Sequence, residues 1–89
     1  MQVNISFDFK DIINGFEVEG VLGVNAEWSS YDEAVSTIYG LNLDDIKIFA
    51  NIDGDWQEVK NKDRFNQVLI DFIYSSDWID KVNELAKDY

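Results

Sequence analysis

The feature that most constrains the fold is a strict two-residue period at the start of the chain. Val3, Ile5, Phe7 and Phe9 are separated by single polar residues. Successive side chains of a strand point to opposite faces, so these four fall on one face. Asn14-Gly15 follows as a turn signal, and Phe16, Val18, Gly20, Leu22 and Val24 resume the same period. The pattern predicts an antiparallel hairpin whose loop, near Lys10 to Gly15, is longer than two residues, with Glu17 and Glu19 turned away from the core.

Beyond the hairpin, the spacing predicts a change to helix. Ser30-Tyr31-Asp32-Glu33 has the arrangement of a capping box, with Glu33 placed to reach back to the Ser30 amide. Tyr31, Ala34, Val35 and Ile38 then form an apolar stripe, and Gly40 suits a helix stop. A third strand is expected over Ile46 to Asn51, a turn at Asp53-Gly54, and a short fourth strand over Trp56 to Val59. In the last third, Phe65, Val68, Leu69, Phe72 and Ile73 keep the i, i+3, i+4, i+7, i+8 spacing of a core-facing helix. Ser75-Ser76-Asp77 reads as a break before a final helix through Trp78, Val82 and Leu85, with Ser76 or Asp77 as its cap; one long bent helix is the alternative. The predicted order is ββαββα(α): an α+β fold with a four-stranded, mainly antiparallel sheet and helices packed on one face.

Residues 1–89 fit a single domain. With 46% hydrophobic residues, the chain has apolar mass for a core without disulfide or metal support. It contains no Cys, which accords with a reducing compartment. The start alternates instead of forming a basic patch and an apolar block, and no apolar run reaches the ~20 residues of a membrane span. The expectation is a cytoplasmic protein of a bacterial host.

Charge is distributed unevenly. Eighteen acids against seven bases give a net charge of −11. Residues 1–58 carry twelve acids and two bases (Lys10 and Lys47), a net of −10, while residues 59–89 carry six acids and five bases, a net of −1. Nucleic-acid binding needs a basic footprint, so the charge argues against direct contact with nucleic acid or with an anionic membrane. Two readings of the acidity stand side by side. One is solubility, for which a magnitude of ~2–8 suffices in a small domain. The other is a surface of unpaired carboxylates for a basic partner, with Glu17 and Glu19 about 6.6 Å apart along one strand. On the second reading the partner-binding residues are Glu17, Glu19, Glu27, Asp32, Glu33, Asp44, Asp45, Asp53, Asp55 and Trp56. Trp56 would be the anchor, an apolar centre within an acidic rim.

Catalysis finds little support in the residue types. The absence of His and Cys removes triads, Cys–His pairs, His zinc sites and imidazole acid–base chemistry. No glycine pattern fits a phosphate-binding loop. Asn51-Ile52-Asp53-Gly54-Asp55-Trp56 imitates a calcium loop, but its sixth position is Trp56 and its twelfth is Lys62, where Gly and Glu are required. A hairpin turn is the better reading, and neither a metal nor a cofactor is expected. Among the aromatics, Phe7, Phe65 and Phe72 sit at core-period positions. Trp28, Trp56 and Trp78 lie at element edges, and Tyr39 and Tyr74 near helix ends.

In size, charge and α+β make-up the chain resembles small phage- or plasmid-encoded inhibitors of the anti-restriction and anti-CRISPR type. No motif is shared, so no family residue is carried across. The resemblance implies a non-catalytic DNA mimic that occupies the basic nucleic-acid-binding surface of a partner enzyme. An immunity or antitoxin-like protein neutralising a basic toxin would use the same electrostatics. A structural or accessory module is the other class, for instance a homodimer joined through a sheet edge or through C-terminal helices presenting Trp78, Ile79 and Val82.

Overall fold

The computed structural model describes residues 1–89. Its element order is β1 (Gln2–Ile13), β2 (Phe16–Ser29), β3 (Ala34–Asn42), β4 (Ile46–Ile52), β5 (Asp55–Glu58), a 3₁₀ turn over Lys62–Phe65, α1 (Asn66–Ser75) and α2 (Trp78–Lys87). The α+β class, the antiparallel sheet and the one-sided helical layer are as the sequence predicts. No helix is long and apolar enough to cross a membrane.

The first hairpin is tighter than expected. Strand β1 continues to Ile13, and Asn14 (φ 52°) with Gly15 (φ 83°) closes a two-residue turn. Positive φ at both central residues matches the right-handed twist of the flanking strands, which is why Asn-Gly forms it. Asp53 (φ 53°) and Gly54 (φ 83°) repeat the device between β4 and β5. The resemblance to a calcium loop therefore resolves as a hairpin turn, in which the Gly54 amide donates to Asn51 Oδ1 (2.9 Å).

The main correction lies at residues 30–40, where the expected helix gives way to a turn and strand β3, giving the sheet five strands instead of four. The apparent capping box is a tight turn in which the Asp32 amide donates to the hydroxyl of Ser29, not Ser30 (3.3 Å), and Glu33 takes φ 51°. The helical spacing of Val35 and Ile38 has another cause. Trp28 pairs Val35, Glu27 pairs Thr37, Ala26 pairs Ile38 and Asn25 pairs Gly40, so Ser36 and Tyr39 are bulged out. An extra residue in a strand turns a two-residue period into three. Val35 and Ile38 thus both face the core while Ser36 and Thr37 are exposed. The run Val35-Ser36-Thr37-Ile38-Tyr39 is also rich in β-branched and aromatic types that favour strand.

Strand β2 is the spine. One edge pairs with β1 along its whole length, from Gln2↔Glu27 to Ile13↔Phe16. The other edge is shared end to end: Phe16–Gly20 pairs with β4, and Gly23–Ser29 with β3. At the seam the β3–β4 connection presses on Gly20 (φ 144°), where a Cβ would lie 2.5 Å from the Asp45 carbonyl oxygen and 2.7 Å from the Ile46 Cα. Strand β5 adds to the outer edge of β4.

The core lies between the sheet and the helices. Val3, Ile5, Phe7, Phe9 and Ile13 of β1, and Val18, Leu22, Val24 and Ala26 of β2, meet Leu69, Ile70, Ile73, Val82 and Ala86. Phe65 packs edge-on against Phe16, and Phe72 against Phe9. The helices break at Ser76, whose extended backbone (φ −119°, ψ 177°) ends α1 and whose hydroxyl accepts from the Trp78 amide (3.2 Å). This settles two helices, capped by Ser76. Val82 is fully buried and Trp78 stacks on Phe7 and Phe9, so the helical face does not offer Trp78, Ile79 and Val82 as an interface. The Trp78 indole N–H instead donates to Asp11 Oδ2 (2.8 Å).

Candidate binding surface

The molecule measures 48 × 21 × 19 Å, and its acids are spread along the long axis instead of gathered in one patch. Strand direction sorts the candidate residues into three groups. Glu27, Asp32 and Glu33 lie at the end holding the β2–β3 turn. Asp44 and Asp45 lie on the β3–β4 connection beside Glu19. Glu17, Asp53, Asp55 and Trp56 lie at the end holding both Gly turns.

Registration limits how much of the acidity the sheet face itself carries. Glu19 pairs across to Lys10 on β1 and to Lys47 on β4. The only two bases of the first 58 residues therefore flank a single carboxylate on the helix-free face. Opposite charges on cross-strand neighbours attract, so the centre of this face is close to electrically balanced. Five of the twelve acids of the first 58 residues sit on turns, at Asp32, Glu33, Asp44, Asp45 and Asp53, all exposed.

One end of the open face has a different make-up. The register aligns Ile12, Glu17, Phe49 and Glu58 across four strands, and Trp56 is diagonal to Phe49 through its pairing with Asn51. Ile12 is 65% exposed, Trp56 49%, and Phe49 half-buried. Three apolar side chains thus share a face with Glu17 and Glu58 and lie beside the Asp53–Asp55 turn. Trp56 occupies the setting the sequence predicts, while Ile12 and Phe49 were not among the candidates. A signal for Ile12 existed: in Ile12-Ile13 the alternation doubles, which puts one of the two on the solvent face.

Ion pairing leaves the field almost untouched. The only salt bridge joins the N-terminal ammonium to Glu27 Oε1 (2.8 Å), and Tyr39 donates to the other oxygen of that carboxylate (3.5 Å). Tyr39 belongs to a bulge, while Tyr74 lies in the last turn of α1, as the sequence predicts, and its hydroxyl accepts from the Ile38 amide (2.7 Å). The largest depression, about 640 Å³, is an open groove lined by Gly40 to Asp44 with Lys60, Lys62, Asp63 and Asn66. Comparison with family models, curated proteins and solved structures finds no match to this chain.

Proposed function

We propose that this chain is a non-catalytic binding protein that occupies the basic nucleic-acid-binding surface of a partner enzyme. The observation that carries this reading is an excess of carboxylates of which almost none is held in an ion pair. Of 18 side-chain carboxylates, one forms a salt bridge, and its partner is the chain terminus. Spread over 48 Å, the net charge of −11 amounts to one per ~4.4 Å, against one phosphate per ~1.7 Å of duplex axis. The net charge thus runs along an elongated body at about 40% of the linear density of a duplex.

The division of labour follows from the surface. Turn carboxylates at both ends supply long-range attraction and orientation, and electrostatic complementarity of this kind mainly raises the association rate. The Trp56, Phe49 and Ile12 cluster supplies short-range burial, at ~25 cal/mol per Å² of apolar surface covered. Aromatic anchors inside a polar rim are the usual place for binding energy to concentrate.

The test is capture from host extract followed by competition. A DNA-binding enzyme retained at low salt should be displaced by duplex DNA and by about 0.5 M NaCl, because salt screens charges beyond ~8 Å already at physiological ionic strength. Retention indifferent to both would end this reading.

A further inference from the structure

The sheet has three outer edges, and two are protected. On β3, the Val35 amide donates to Asn83 Oδ1 (2.9 Å) and the Ile38 amide to the Tyr74 hydroxyl (2.7 Å), so helix side chains seal that edge. Strand β5 has four residues. Strand β1 has twelve, no proline and an unbroken register, and pairs with β2 alone. Proteins ordinarily blunt such an edge with bulges, proline or clustered charge.

Which groups are free on β1 follows from the ladder. Met1 and Trp28 exchange both hydrogen bonds, Trp28 N–H to Met1 O at 2.8 Å and the Met1 ammonium to Trp28 O at 3.0 Å. In an antiparallel pair, bonded and non-bonded positions alternate. Val3, Ile5, Phe7 and Phe9 therefore bond to β2, and the backbones of Gln2, Asn4, Ser6, Asp8, Lys10 and Ile12 point outward. The Ile12 amide is already taken by Asp11 Oδ1 (2.7 Å). Five free amides remain, at alternate residues from 2 to 10.

We infer that this edge takes the β1 strand of a second copy of the chain, antiparallel and centred on Ser6. Charge selects the occupant. In a segment whose first 58 residues carry −10, the outward-backbone residues of β1 hold one acid, Asp8, and one base, Lys10. A neutral edge offers little to a basic strand and suits its own copy. The Ser6-centred register sets Lys10 opposite Gln2, Asp8 opposite Asn4, and Ser6 opposite itself, so no like charges face each other and all five amides find carbonyls. A register centred on Asp8 would oppose two carboxylates. Registers centred on Phe7 or Phe9 would need the Ile12 amide that Asp11 holds. The two-fold axis runs perpendicular to the sheet, so both helical layers fall on one side and both open faces on the other.

Net charge opposes this association. Each domain is about 20 Å wide, so the two centres are separated by more than two Debye lengths at ~8 Å each, and added salt screens the repulsion. The dimer therefore tightens as salt rises, the opposite of binding to a basic enzyme surface, so the two readings fail separately.

Sedimentation equilibrium of the whole chain tests the inference. The wild type is expected to show a monomer–dimer equilibrium whose Kd falls roughly tenfold between about 0.05 and 0.5 M NaCl. Amides of Asn4, Ser6 and Asp8 should exchange more slowly as concentration rises. Ser6→Pro removes an outward amide without touching the β2 ladder, the position where an edge strand tolerates proline. Ser6→Lys puts two ammonium groups at the two-fold axis. With folding verified by circular dichroism, each should raise Kd at least about tenfold, that is by about 1.4 kcal/mol or more. A monomer at every salt up to about 1 mM protein would overturn the inference. So would a dimer that weakens with salt, or one unchanged by Ser6→Lys.

Discussion

Replacing Gly20 by alanine tests the seam between the two halves of the sheet. The added Cβ would meet the Asp45 carbonyl oxygen at 2.5 Å and the Ile46 Cα at 2.7 Å, and both are backbone atoms held by the Gly20↔Ile46 pairing. Two costs add. Holding a non-glycine residue at φ 144° costs about 1–3 kcal/mol. Pushing the β3–β4 connection outward is an overpacking change of about 1–3 kcal/mol. Against them stands a loss of unfolded-state entropy worth about 0.4–1 kcal/mol. The net is a destabilisation near 3 kcal/mol, a fall in Tm of about 12–24 °C in a domain of this size. Urea denaturation followed by circular dichroism should show a lower midpoint with an unchanged slope. Gly15→Ala separates the terms, because Gly15 has φ 83° but open space around it, and only the conformational cost of about 1–2 kcal/mol applies. If Gly20→Ala costs no more than Gly15→Ala, the connection does not press on β2 and the seam is wrongly drawn.

Other expectations follow from single contacts. Asn83→Ala leaves the Val35 amide without its partner and should cost about 1–3 kcal/mol in urea denaturation, with faster exchange at that amide. Trp78→Phe keeps the ring against Phe9 but removes the bond to Asp11, for a loss near 1 kcal/mol in chemical denaturation. Trp56→Ala should change stability by no more than about 0.5 kcal/mol, since its side chain is half exposed, yet weaken partner capture at least tenfold. The combined variant Glu17→Gln, Asp53→Asn, Asp55→Asn and Glu58→Gln should slow association with the partner and flatten its salt dependence while the fold is kept, as read by stopped-flow binding and circular dichroism.

The parts of the fold legible in the sequence are those where one period rules a whole element. The alternation of Val3 to Phe9 and the helical stripe of Phe65 to Ile73 each map onto a single buried face. Residues 30–40 look helical in sequence because two bulges give a strand the spacing of a helix, and bulges depend on the partner strand, which one-dimensional spacing does not contain. The candidate site shows the same limit. Trp56 could be singled out by type and neighbours, but its companions Ile12 and Phe49 are brought together only by registration across β1, β2 and β4. Registration also set Lys10 and Lys47 on either side of Glu19, emptying the middle of the face of net charge and leaving five of the acids at the turns.

The end-to-end arrangement of β3 and β4 on β2 has a mechanical consequence. Along one edge the sheet is a continuous two-stranded ribbon; along the other it is cut at Val21 and Leu22, where β2 has no partner from either strand. A ribbon of two strands bends easily, so the cut would be the soft point of a rod 48 Å long. Helix α1 crosses that point on the far side. Phe65 at its start packs on Phe16 near one end of the sheet, and Tyr74 near its close holds the Ile38 amide beyond the cut. Ten residues of helix at ~1.5 Å each give a splint of about 15 Å. The long strands set the distance between the charged ends, and the splint that keeps them in line is a helix that carries almost none of the charge itself.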